Sequence, residues 1–269
     1  MASSNPVFNN SPAFTASATK AAQLARPSQL SVEELNELYE RPAATPVETD
    51  RMSYEDTIVK IAVSFGVLVI GAAVGWFVPS LWLPALIVGT VLAFVNIFKK
   101  KVSPALVLAY AGFEGVFVGG ISFMYSSLFD GIVPQAVFGT LAVVGITLAL
   151  FMSGKVRASK RATKIFLVAM LGYLAFSLVN VILMATGVTQ GMFGLRSDVA
   201  IMGIPLGLVL GIFVILLAAY SLVLDFDSIK TGVERGAPRQ YGWTAAFGIM
   251  LTVVWLYQEI LRLLAIMRE

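Results

Sequence analysis

The feature that most limits the fold is a series of long apolar runs almost free of charge. They cover 58–78, 81–98, 104–128, 135–152, 164–186, 203–224 and 243–266. Each approaches the ~20 residues that an α-helix needs to cross a hydrocarbon core. Within lipid every backbone N–H and C=O must be satisfied inside the segment, so such runs cross as helices. The pattern predicts an all-α membrane protein, with seven transmembrane helices in a domain over 51–269. Only 13% of the 269 residues are charged, against about 25% in soluble domains. Pro79 and Ser80 alone separate the first two runs, with Trp76, Trp82 and Pro84 nearby, which predicts a tight interfacial hairpin.

Basic residues collect in alternate loops. Lys99, Lys100 and Lys101 follow the second run; Lys155, Arg157, Lys160 and Arg161 follow the fourth, with Lys164 beyond; Lys230, Arg235 and Arg239 follow the sixth. The intervening loops hold little more than Asp130, Arg196 and Asp198. The positive-inside rule then predicts a multi-pass protein of the cell (cytoplasmic) membrane, with the N-terminus and basic loops in the cytoplasm and the C-terminus outside. Residues 1–50 read as a flexible cytoplasmic tail. They are rich in Ser, Ala, Asn and Pro and lack the apolar stretch of a signal peptide. Ser31-Val-Glu-Glu34 forms a capping box that predicts a short helix near 31–40. Its Leu35, Leu38 and Tyr39 either dock a partner or the membrane surface, or belong to a solvated helix.

The chain has no cysteine and no histidine. That excludes thiolate and histidine zinc sites, Ser-His and Cys-His nucleophiles, and His- or Cys-held haem. No Gly-Lys-Ser/Thr phosphate loop occurs, and run 243–266 has no lysine for a Schiff base. No enzymatic activity, cofactor or nucleic-acid partner is expected; the expected surroundings are the lipid bilayer. Proton or cation handling falls to carboxylates, hydroxyls and backbone carbonyls.

Glycines four apart (Gly71 and Gly75, Gly115 and Gly119, then Gly203, Gly207 and Gly211) predict close helix packing in lipid. Charged groups at bilayer depth cost about 2.5 kcal/mol or more on insertion scales, so they need a partner, water or a function. Glu114 lies ten residues past Pro104, roughly 15 Å into its span at 1.5 Å per residue. It is either a protonated acid bonded to a neighbouring helix or a proton or cation ligand in a wet cavity. Glu259 has Arg262 three residues on, a spacing that favours mutual neutralisation near the outer interface. Asp225 and Asp227 close the sixth run as a solvated end-stop or as a site. Residues two apart point about 200° away from each other, so only one of them readily faces the bundle.

The stretch from Leu222 to Met267 resembles the Bax-inhibitor-1/YccA (transmembrane Bax-inhibitor-motif) family, in the manner of a bacterial branch. Phe226-Asp227-Ser228 is similar to the family's aromatic-Asp-Thr/Ser pattern, ILRLL at 260–264 to its leucine-rich end, and Glu114-Gly115 to its third span. The resemblance covers about 52–269. It implies six helices surrounding a central C-terminal helix and a pH-sensitive calcium leak gated by two carboxylates sharing a proton. Asp227 then takes the first acidic position. The second falls on Glu259 if the Leu-Tyr-any-acid pattern is matched, and on Thr252 if the leucine-arginine ends are matched without gaps. Asp225 and Glu114 remain further proton- or cation-sensing candidates, and Asp227 and Glu114 are the implied oxygen ligands for transported or bound calcium. The arginine of the family's second span is absent, since 81–98 is uncharged. Other members imply an alternative, a non-transporting regulator that binds a membrane protease or stress-response complex, here through the N-terminal tail.

Overall fold

A computed structural model describes residues 50–99 and 103–268; the helix expected near 31–40 lies outside these. Seven helices are long and apolar enough to cross a membrane. They are α1 (Tyr54–Phe77), α2 (Trp82–Phe98, led in by a 3-10 turn at Pro79–Leu81), α3 (Pro104–Leu128), α4 (Ile132–Met152), α5 (Lys160–Ala185), α6 (Leu206–Glu234) and α7 (Tyr241–Ile266).

Local sequence explains the starts. The Ser53 hydroxyl accepts from the Asp56 N–H at 3.2 Å, and Ser159 does the same for Ala162 at 3.2 Å, so both helices open on a side-chain cap. Pro104 enters α3 in its first turn, where no N–H partner is needed. α6 runs from Leu206 to Glu234, beyond the apolar run's expected end at 224. Its last turns are polar enough to lower hydropathy but contain no proline, and the helix continues through Gly232. Asp225 and Asp227 therefore lie inside the helix and not at its end.

The glycine seam is a backbone-to-backbone contact between α1 and α3. A Cβ on Gly75 would lie 2.0 Å from the Val116 carbonyl oxygen, and one on Gly119 2.0 Å from that of Ala72. Only glycine allows this approach, which supplies van der Waals packing where lipid offers no hydrophobic gain. Gly207 and Gly211 make room for Ile266 and Leu263 of α7. Gly203 does not belong to that seam. It lies at φ +83° with open space around it, in the turn of a small hairpin pairing Ala200–Ile201 with Ile204–Pro205.

The core gathers on α7, which packs against α1, α3, α4 and α6 and buries Met250, Leu256, Leu261 and Ala265. α5 is the opposite case. Asn180 is its one fully buried residue, and polar side chains hold it to the bundle. One end of the domain is tied by α7's terminus, where Arg268 donates to the Asp130 carbonyl at 2.8 Å and to Gln135 Oε1 at 2.7 Å. At the other end, which carries Lys99 and the 235–240 loop, Met52 N–H donates to the Ala237 carbonyl at 2.7 Å.

Candidate functional site

Two polar layers lie along the α6–α7 seam. The first is built on Asp225. Helical phase turns its carboxylate toward α7, where Oδ2 accepts the Thr252 hydroxyl at 2.8 Å. Thr252 has one hydroxyl proton and gives it to Asp225, so the Ser221 hydroxyl, 3.3 Å away, is the donor to Thr252 Oγ1. Gly248 leaves the carboxylate its space, for a Cβ there would sit 3.3 Å from Asp225 Oδ1. Asp225 also lines a cavity of about 520 Å³ at the basic-loop end, shared with Asn96, Lys99, Ser228, Tyr241 and Thr244. Asp227, on the other side of the helix, is half-buried and absent from that cavity's lining; among the described residues its carboxylate receives no hydrogen bond.

The second layer is Glu259, 2% exposed. Seven residues separate it from Thr252, about 10 Å along the helix. Arg262 donates to Oε1 at 2.6 Å, Tyr173 of α5 donates its hydroxyl proton to the same oxygen, and Arg196 reaches Oε2 at 3.4 Å. Arg196 also donates to the Tyr173 hydroxyl at 2.8 Å and to Ser177 Oγ at 3.4 Å, with its guanidinium over the Tyr173 and Phe176 rings. The Glu259–Arg262 neutralisation expected from spacing is thus part of a larger cluster. Buried, apolar Leu217, Ala218 and Leu256 occupy the stretch between the layers.

This geometry does not bring Asp227 and Glu259 together as a carboxylate pair. Both Glu259 oxygens are engaged by the arginines and Tyr173, while Asp227 is on another face at another depth. The hydroxyl of Thr252 stands where the gap-free match places it, and its partner is Asp225. Glu114 does not reach either aspartate. It lines a separate groove of about 290 Å³ between α2 and α3, with Thr90, Phe94, Tyr110, Phe117 and Gln258. Among the described residues no group of three or more acidic, His or Cys side chains could hold a metal ion.

Two polar groups escape sequence reasoning. Arg196 reads as a loop residue, yet a one-turn helix at Leu195–Asp198 folds it into the bundle at 5% exposure. Asn180 fixes that turn, accepting from the Leu195 N–H at 2.7 Å and donating to the Phe193 carbonyl at 3.2 Å. The available signal was a lone arginine in an otherwise nearly uncharged loop. The other group is Asp56, which accepts Lys60 at 2.5 Å on one oxygen and Arg239 at 2.9 and 2.7 Å on the other. Lys60 further donates to the Arg239 carbonyl at 2.7 Å, locking α1 to the α6–α7 loop. The hydrogen bonds from Arg239 to Asp56, and then the Asp56 charge, hold that guanidinium's pKa above its ordinary value. The i,i+4 spacing of Asp56 and Lys60 was legible; their long-range partner was not.

The family model described as Bax inhibitor 1 like matches residues 5–269. No curated protein matches the chain.

Proposed function

We propose, from the premise that this chain belongs to the Bax inhibitor 1 like family, that it is a calcium leak of the cell membrane whose proton sensor is Asp225. The observation that carries this reading is an acidic side chain at the edge of a 520 Å³ cavity, hydrogen-bonded across helices to Thr252. The cavity is large enough to bring a hydrated cation to the Asp225 carboxylate. The hydroxyl chain Ser221–Thr252 then couples the charge on Asp225 to the α6–α7 contact. Deprotonated, Asp225 attracts a hard cation and accepts a charge-assisted hydrogen bond from Thr252; protonated, it loses the charge that attracts the cation, and its hydrogen bond with Thr252 becomes a weaker, neutral one. Above it, apolar Leu217, Ala218 and Leu256 and the Glu259 cluster form the barrier. The basic-loop bias supports an N-terminus in the cytoplasm and a C-terminus outside, so the cavity opens to the cytoplasm.

Calcium flux in proteoliposomes tests this at pH 6 and pH 8. Wild type leaks more at pH 8, Asp225→Asn is low at both, and Asp227→Asn follows wild type. Flux equal to empty vesicles at both pH values would sink the leak. Loss of a co-purified membrane protease on deleting residues 1–50 would then favour the alternative, a regulator that works through its tail.

A further inference from the structure

The groove beside Glu114 is separate from the Asp225 cavity and has its own chemistry. Its walls are α2 and α3, with Gln258 of α7 at the back. Thr90, Phe94 and Ile97 along its rim are exposed on the outer face of the bundle, so in a membrane the groove opens sideways toward lipid. Besides the Thr90 hydroxyl, its lining holds three polar groups: the Glu114 carboxylate, the Tyr110 hydroxyl and the Gln258 carboxamide. Among the described residues Glu114, Tyr110 and Gln258 have no side-chain hydrogen-bond partner, and none of these groups is sealed from a water-sized probe; the one sealed, unpartnered side-chain oxygen is Thr189 Oγ1. Among the described residues no salt bridge reaches Glu114, and the groove's lining contains no lysine or arginine.

The groove is also shaped. Gly89 lets Glu114 enter between the helices, since a Cβ there would sit 3.1 Å from Oε2. Tyr110 is held by edge contact with Phe247 at 5.0 Å between ring centres. Thr90 gives its proton to the Leu86 carbonyl at 2.7 Å and presents only lone pairs. Phe94, Phe117 and Tyr110 supply aromatic faces around an acid that carries no counter-ion.

We propose that this groove binds a primary ammonium group carried on a small apolar body that enters from the bilayer. A primary ammonium has three N–H donors, and the groove offers three acceptor groups with no partner among the described residues: a Glu114 oxygen, the Tyr110 hydroxyl oxygen and Gln258 Oε1. The aromatic walls add attraction to a desolvated cation, and Leu86, Ala93 and Phe94 receive the apolar body. The volume lies at the small end of ligand pockets, about 300 Å³ and upward, which fits an arylalkylamine. Calcium is a poorer match, because it takes about six to eight oxygens with several carboxylates, and this groove has one. The inference does not depend on the leak, since Asp225 takes no part in it.

The test uses the full chain in nanodiscs of zwitterionic lipid, with 4-fluorophenethylammonium followed by fluorine NMR against empty nanodiscs. Saturable binding is expected, weakened at least roughly tenfold in Glu114→Gln, since a charge-assisted contact is lost. Gln258→Leu weakens it several-fold, Asp225→Asn leaves it unchanged, and neutral 4-fluorophenylethanol does not compete. If Glu114→Gln fails to give monodisperse nanodiscs, Gln258→Leu decides. No saturation above empty nanodiscs, wild-type affinity in Glu114→Gln or Gln258→Leu, or equal competition by the alcohol overturns the proposal. Displacement of the amine by submillimolar calcium overturns it in favour of an inorganic cation site.

Discussion

Glu259→Gln isolates the buried ion cluster from every other feature of the fold. The substitution keeps the shape and removes the charge that Arg196 and Arg262 share. The two arginines differ in escape routes: the Arg262 side chain is 27% exposed, whereas that of Arg196 is 6% exposed and Glu259 3%. Arg262 can swing to water at the rim. Arg196 is pinned by Asn180 through the Leu195 turn and is left with only Tyr173, Ser177 and two aromatic faces. Stranding a buried charge costs about 3–5 kcal/mol. Arg196→Met is milder, because Glu259 keeps Arg262 and Tyr173; losing its hydrogen bonds costs about 1–3 kcal/mol. The double variant removes the stranded charge, so it is more stable than Glu259→Gln alone. Reversible unfolding in mixed micelles measures all three. Trp255, whose ring lies 6.3 Å from that of Tyr173, reports locally. α5 has little apolar burial to hold it once Tyr173 lets go, so limited proteolysis in the 153–159 loop accelerates in Glu259→Gln. A loss under about 1 kcal/mol for Glu259→Gln, or a double variant no more stable than it, refutes the assignment of a buried, mutually dependent cluster.

Other perturbations separate the remaining parts. Thr252→Val removes the hydroxyl donor to Asp225 and displaces the pH profile of calcium flux while melting within about 1 kcal/mol of wild type; an unchanged profile disconnects Thr252 from the sensor. Thr252→Asp places two carboxyls at hydrogen-bond distance that share a proton and titrate in two separated steps, and spreads the pH dependence over a wider range in the same assay. Gly119→Val sets a Cβ 2.0 Å from the Ala72 carbonyl oxygen, forces α1 away from α3 and abolishes a monodisperse detergent-solubilised species on size-exclusion chromatography, whereas Gly145→Ala, in open space, leaves it intact. Asp56→Asn frees Lys60 and Arg239, lowers the melting temperature and exposes the 235–240 loop to trypsin; an unchanged cleavage rate argues against the clamp.

The membrane architecture was legible because its causes are local. Apolar run length, Pro79 between the first two runs, and glycines four apart each act through the chain's own neighbours or through the solvent. The candidate site was legible only by residue type. Asp225, Glu114, Glu259 and Thr252 all stood out as polar groups in apolar spans, and Arg262 as the local partner of Glu259. Their grouping was not, because the decisive partners are distant: Thr252 with Asp225, Arg196 with Glu259, Arg239 with Asp56. Helical spacing showed that Asp225 and Asp227 face opposite ways but left open which of them faces inward. The Phe226-Asp227-Ser228 match favoured Asp227, while the phase of α6 against α7 turns Asp225 to the seam.

The sequence alone therefore determined seven helices long and apolar enough to cross a membrane, glycines spaced for close helix packing, and the lack of any cysteine or histidine. Those follow from composition and periodicity, which every segment carries within itself. Only the tertiary structure decided that Asp225 meets a hydroxyl, that Arg196 is buried against Glu259, and that Glu114 stands in a groove of its own. Absolute helix rotation and the folding-back of a loop are set by packing between segments far apart in the chain, and no single segment encodes them.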